Sequence, residues 1–173
     1  MALDATPGGE NANSYVTETE AEDYFEMRSA AGLEWAKIAD PESLLVTASQ
    51  FLDTYILFKG QKTSATQAME WPRTGVTYRD GTPVPDDIIP RQVKVAVMEC
   101  AFYFNQNGDP YAASEFAGIR EVKAGSLTMK VDSNYSSGDR PVSPVPAFVY
   151  KFLTGLYLAY GAPDQSLIVV TDE

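Results

Sequence analysis

Four stretches of the chain carry apolar residues at the three- and four-residue spacing of an amphipathic helix. The predicted helices span 17–32, 40–60, 90–107 and 146–160. The first begins with Thr17 and Glu20 at the spacing of a capping box, and Asp40 is a helix-capping residue at the start of the second. Gly32 is expected to end the first helix. The pattern therefore predicts a helical bundle.

Between the third and fourth helices the pattern changes to the alternation that is typical of a half-buried strand. Two short strands, 119–123 and 126–131, flank Ala124 and Gly125 and predict a hairpin. The predicted fold class is mainly α, a bundle of about four helices with a small β hairpin and extended termini. We expect a flexible N-terminal arm over 1–16, a helical domain over 17–160 and an extended C-terminal tail over 161–173.

The third helix has apolar residues on two of its faces. Besides its main stripe, it carries a second stripe formed by Val95, Met98 and Phe102. Apolar clusters outside the core commonly mark protein–protein contacts, so the second stripe is predicted to contact a neighbouring subunit. The alternative is that the fourth helix and the 61–88 loop cover the second stripe within one subunit.

A short strand-prone run lies near the end of the sequence, at Leu167, Ile168, Val169 and Val170. One interpretation is that this run pairs with the 126–131 strand of its own chain. The other is that it adds to a neighbouring subunit, as an exposed strand can. Its position after the last helix favours the second interpretation.

Composition and charge narrow the function classes. The formal net charge is -11, from 24 acidic and 13 basic residues, which repels nucleic-acid phosphates at long range. The chain has no histidine, and Cys100 is its only cysteine, so the commonest general base and a thiolate metal cluster are missing. We therefore expect no enzyme activity, no cofactor and no metal. The sequence shows neither a membrane span nor a signal-peptide pattern, which predicts a cytoplasmic protein.

One aromatic and basic combination stands against this acidic background, formed by Trp71, Arg73 and Arg79. In proteins that bind single strands, aromatic rings stack on bases and cations contact the phosphates. These three residues are thus candidates for nucleic-acid contact. The alternative is that Trp71 packs beneath the irregular 61–88 loop and that Arg73 pairs with an acidic residue. The net charge favours this packing alternative.

Several sequence blocks, in order along 13–160, resemble a family of tailed-bacteriophage proteins. The most specific is Ala-Met-Glu-Trp-Pro-Arg-Thr-Gly at 68–75, and two others are Phe-Leu-Asp at 51–53 and Lys-Ala-Gly-Ser-Leu at 123–127. Members of the family are often described as DnaT-like single-strand DNA-binding proteins. The pattern is also similar to the head-tail connector, or adaptor, proteins that sit beneath the phage portal.

The connector resemblance implies a structural virion protein, a dodecameric ring that docks on the portal protein and extends the DNA channel. Its partners would be the portal, a downstream tail or nozzle protein, and packaged double-stranded DNA that passes without sequence-specific binding. Such a protein would reside at the head–tail junction of the virion after assembly in the host cytoplasm. The second stripe and the run 167–170 would then form the subunit or portal interface.

The alternative function comes from a different class, a single-stranded DNA-binding protein of phage replication. Trp71, Arg73 and Arg79 would be its nucleic-acid contacts. The acidic composition favours the connector, because a surplus of carboxylates would repel the duplex and let it slide through the channel.

Overall fold

The computed structural model describes residues 2–111, 121–124, 127–130 and 145–158. Five helices lie in these residues, so the predicted mainly α fold with a small β element is confirmed. They are α1 (Glu18–Glu26), α2 (Ser29–Trp35), α3 (Pro41–Tyr55), α4 (Arg91–Asn107) and α5 (Ala147–Phe152). The predicted boundary at 160 and the tail over 161–173 lie outside the described residues.

The first predicted helix is divided into α1 and α2. Its capping box is confirmed: the Thr17 hydroxyl accepts from the Glu20 N–H at 3.2 Å, and the Glu20 carboxylate accepts from the Thr17 N–H at 3.0 Å. Gly32 does not end a helix but lies inside α2. A Cβ at Gly32 would lie 2.7 Å from the carbonyl oxygen of Phe25, so a glycine is needed where α2 folds back on α1.

The core lies between α3 and α4, with α5 packed on α4. The two long helices bury the apolar stripes that the periodicity predicts. These are Leu45, Ala48, Phe51 and Leu52 of α3, and Val93, Ala96, Val97, Cys100, Ala101 and Phe104 of α4. The rings of Phe51 and Phe104 meet edge to face, 5.0 Å apart, an arrangement that aromatic pairs prefer.

The last described helix is shorter than predicted. The pattern predicts a helix over 146–160, whereas α5 ends at Phe152 and Gly155 has φ +95°, a conformation that glycine adopts without strain. The chain then runs beside residues 57–59: the Lys59 N–H donates to the Leu156 carbonyl at 3.0 Å, and the Leu158 N–H donates to the Leu57 carbonyl at 2.8 Å. These strand-like contacts replace the helical bonds that the periodicity predicts.

The described part of the chain contains two small antiparallel pairs of strands. The predicted hairpin is confirmed, since β3 (Glu121–Ala124) pairs with β4 (Leu127–Lys130) and places Ala124 opposite Leu127. The second pair was not predicted: β1 (Gln61–Lys62) pairs with β2 (Arg73–Thr74) inside the irregular loop. It draws the two ends of the block 61–74 together.

The prediction of a flexible arm over 1–16 is wrong for the described part of that segment. Residues 12–16 are buried, with Tyr15 and Val16 at most 1% exposed. Asn13 fixes the preceding residues, because its side-chain oxygen accepts from the Asp4 N–H at 2.8 Å and its backbone N–H donates to the Asp4 carbonyl at 2.9 Å. The polar composition suggested solvent, but these polar groups are satisfied internally.

Tyr15 ties this segment to α3 and to the block 68–75. Its hydroxyl donates to the Asp53 carboxylate and accepts from the Trp71 N–H at 3.1 Å. The other Asp53 oxygen accepts from the Glu70 N–H at 3.0 Å. Burial raises the pKa of Asp53 to about 6 and raises the pKa of Tyr15 well above its ordinary value, while the hydrogen bond from Tyr15 opposes the shift at Asp53. One carboxyl group therefore joins three separate parts of the chain.

The raised pKa of Asp53 makes stability depend on pH. Native Asp53 titrates at about 6 and an unperturbed aspartate at 3.8, so between these values the native state holds the extra proton. We expect the free energy of unfolding of the wild type, relative to that of Asp53→Asn, to rise as the pH falls through this window. Urea unfolding of both proteins measures the difference. A difference that is constant, or that shrinks as the pH falls, would contradict the assignment.

Candidate functional site

The second stripe of α4 lies within the fold rather than on a free face. Met98 is buried, and Val95 and Phe102 are half-buried against the same core. The Phe102 ring lies 5.2 Å from that of Phe25 in α1. The premise that Met98 stands outside the core is therefore wrong, because α1 packs along this side of α4. Contact between the second stripe and a neighbouring subunit stays a prediction.

The other predicted interface residues, Leu167, Ile168, Val169 and Val170, lie outside the described residues. Their pairing with a neighbouring subunit or with their own chain also stays a prediction.

Trp71 packs inside the molecule. It is 1% exposed, and its ring meets Phe58 edge to face with centroids 5.6 Å apart. Among the described residues its indole Nε1 has no hydrogen-bond partner. Neither face of the ring is open for a base to stack on. Trp71 is therefore a packing residue, as the alternative interpretation predicted.

Arg73 is 7% exposed, and its guanidinium is occupied by the chain around it. Nε donates to the Lys59 carbonyl at 2.7 Å, Nη2 donates to the Gly60 carbonyl at 2.8 Å, and Nη1 donates to the Glu70 carboxylate. Gly60 has φ +73°, and a Cβ there would lie 2.2 Å from the Thr74 carbonyl oxygen. The two remaining donors reach the Glu70 carbonyl at 3.2 Å and the Phe58 carbonyl at 3.4 Å. Arg73 therefore has no donor left for a phosphate and holds two backbone segments together.

Arg79 differs from the other two candidates because it is exposed. It lies in a turn closed by a 2.8 Å bond from the Tyr78 N–H to the Thr82 carbonyl. The turn borders an open cleft of about 360 Å³, lined by Tyr78, Arg79, Asp80 and Gln92. The Asp80 carboxylate accepts from the Thr82 N–H at 2.9 Å, and this bond lowers the pKa of Asp80. The cleft thus combines an aromatic ring, a cation and an ionised carboxylate.

Gln92, in the first turn of α4, also lines this cleft. The N-cap residue of α4 is Pro90, no side chain caps the helix, and the first turn contains the exposed Arg91 but no acid. Free N–H groups at a helix start carry partial positive charge and attract anions. Asp86 and Asp87 precede the helix and are exposed, so they bring negative charge to the same end. Arg79 and the helix start therefore attract a phosphate, whereas the nearby aspartates repel it.

Sequence reasoning identified Arg79 but not the start of α4 beside it. The signal was present in the helix start, where Arg91 and Gln92 follow Pro90 without an acidic residue. What the sequence could not give was the fold of the turn 78–82 against that helix start.

The described residues contain no group of three or more histidine, cysteine, aspartate or glutamate side chains that could hold a metal ion. Burial raises the pKa of Cys100 to about 12, so its thiol stays protonated in the core. No helix in the described part of the chain is long and apolar enough to cross a membrane. The expected absence of catalysis and of cofactors stays a prediction.

Comparison with known proteins gives one family. The family model described as "Putative DnaT-like ssDNA binding protein" matches residues 1–167. Comparisons with the curated proteins and with the solved structures give no match. The DnaT-like part of the resemblance is thus supported, whereas nothing found supports the head-tail connector. The match covers nearly the whole chain, which therefore belongs to the family that carries this description.

Proposed function

We propose that this chain binds single-stranded DNA, and that it does so at the cleft between the turn 78–82 and the start of α4. The observation that carries the proposal is the exposed Arg79 beside Tyr78 and the uncapped helix start. The description of the family supports the same activity.

In this proposal the cleft recognises the strand without reading its sequence. A backbone phosphate is held between the Arg79 guanidinium and the N–H groups of the first turn of α4, where Arg91 adds a second cation. A neighbouring base stacks on the ring of Tyr78, which every base can do because every base has a π face. Trp71 and Arg73 act only through the fold that holds this turn.

The net charge of -11 sets limits on the affinity. Repulsion between the acidic surface and the phosphates opposes the approach of the strand, so attraction has to come from the cleft alone. We expect a dissociation constant between about 1 and about 100 micromolar at physiological salt, the range of non-specific binding.

The test is fluorescence anisotropy with a labelled oligothymidylate at several salt concentrations. We expect Arg79→Ala to weaken binding several-fold and to reduce the slope of log affinity against log salt by about 0.7, because each neutralised phosphate contributes that much on a single strand. Lys37→Ala is the matched control, since Lys37 is an exposed cation just after α2 that pairs with Glu34 at 2.7 Å. It removes the same charge outside the cleft.

Two results would contradict the proposal. One is the absence of binding at every salt concentration tested, since salt screens both the attraction at the cleft and the repulsion by the acidic surface. The other is an equal loss of affinity in Arg79→Ala and Lys37→Ala, which would mean that the cleft is not the binding surface.

A second candidate function is the head-tail adaptor, favoured by the surplus of acidic residues. A ring of such subunits, dodecameric by the connector resemblance, would repel the packaged duplex and let it slide, while its subunits contact the portal above and a tail protein below. Neighbours in such a ring use different faces of each subunit.

Purified virions distinguish the two functions. An adaptor is present in many copies per particle, so quantitative mass spectrometry of purified phage would find this chain at a fixed ratio to the portal protein. A replication protein is made during infection and left out of the particle. Its absence from washed virions would rule out the adaptor.

A further inference from the structure

A groove lies between α1, α2 and the start of α3. Its volume is about 620 Å³, within the size range of ligand sites. The rings of Phe25 and Trp35 stack 4.5 Å apart and are buried beneath the groove, so its accessible apolar surface comes from Leu33, Ala36 and Ile38. Leu33 lies on the edge and is 69% exposed. The groove exists because Gly32 lets α2 lie close against the end of α1.

The charge around this groove has one sign. The carboxylates on its α1 side are Glu18, Glu22 and Glu26. Their four-residue spacing places them on one face of the helix. Among the described residues no lysine or arginine lines the groove. Arg28, next to α1, is directed to Glu99 on α4, and Lys37 is bound to Glu34.

We propose that this groove is a docking site for an amphipathic helical segment of another protein, one that carries lysine or arginine beside large apolar residues. The accessible apolar side chains of Leu33, Ala36 and Ile38 fit the apolar face of such a helix, and the carboxylate row fits a row of cations at the same spacing. A second copy of this chain is a poor occupant, because its net charge of -11 would meet the same acidic row.

The dimensions suit a short helix. The nine residues of α1 extend about 14 Å at 1.5 Å per residue, so the carboxylate row matches two to three turns of a partner helix. Met27, 81% exposed at the end of α1, adds apolar surface beside the groove. None of the groove residues belongs to the cleft at Arg79, so the proposal stands independently of DNA binding.

The probe is a synthetic helical peptide of about 14 residues with leucine on one face and lysine at four-residue spacing. One control peptide has glutamate in place of lysine, and another has the same composition in scrambled order. Binding is measured by calorimetry at about 0.15 M salt, where long-range attraction is screened. Amide NMR shifts locate the site. We expect the largest shifts at Gly32, Leu33 and Ala36.

Two variants test the apolar surface and the carboxylate row of the groove separately. Glu22→Lys is expected to weaken the lysine peptide about tenfold, whereas Glu10→Lys, the same charge change at an exposed residue outside the groove, changes affinity less than about twofold. Leu33→Ala is expected to weaken it several-fold, and Leu57→Ala, at a residue 65% exposed elsewhere, is the apolar control. Both side chains are exposed, so both variants should fold.

Several results would overturn the proposal. They include equal binding of the glutamate peptide or the scrambled peptide, equal weakening by Glu22→Lys and Glu10→Lys, or shifts spread over the whole surface. Sedimentation of the protein alone tests the remaining occupant. A dimer that Leu33→Ala dissociates would assign the groove to a second copy of the chain.

Discussion

The irregular 61–88 loop depends on the hydrogen bonds that the Arg73 guanidinium donates. The guanidinium satisfies the carbonyls of Lys59 and Gly60 and the carboxylate of Glu70, while the β1–β2 pair closes the same loop. A long loop has many backbone groups that need partners once it is buried, and a planar cation with five donors can satisfy several at once. Asp53 completes the arrangement from the side of α3, because its carboxylate holds Tyr15 and the Glu70 N–H.

This role changes the meaning of the most specific block of the sequence. From the sequence alone, Trp71 and Arg73 resemble a nucleic-acid contact, since aromatic rings and arginines commonly bind single strands. In the structure they are buried, and they act by holding the loop that carries Tyr78 and Arg79. The proposed contact with DNA therefore lies at the far end of the loop, beside the start of α4, and the acidic groove at α1 and α2 is proposed for a different class of partner.

Periodicity was enough to predict α4 and most of α3, because their apolar stripes decide which face is buried, although α3 ends at Tyr55 and not at Gly60. Alternation of apolar and polar residues was enough to predict the β3–β4 hairpin. Periodicity failed where contacts between distant residues determine the local structure. Gly32 is a helix-ending residue by propensity, yet it lies inside α2, where the lack of a Cβ allows its close approach to the Phe25 carbonyl. The segment before Thr17 is polar enough for solvent, but Asn13 and Tyr15 find their partners in distant residues. Arg79 was identified from composition, whereas its neighbour across the cleft, Gln92, depends on how the turn folds.

Arg73→Lys separates a role of Arg73 in the fold from a role in nucleic-acid contact. Lysine keeps the charge but cannot reach the two carbonyls and the carboxylate together. We expect the free energy of unfolding to fall by about 2–3 kcal/mol, while the folded variant binds an oligothymidylate within about twofold of the wild type. Unchanged stability together with a large loss of DNA affinity would mean that Arg73 contacts the strand and does not support the fold.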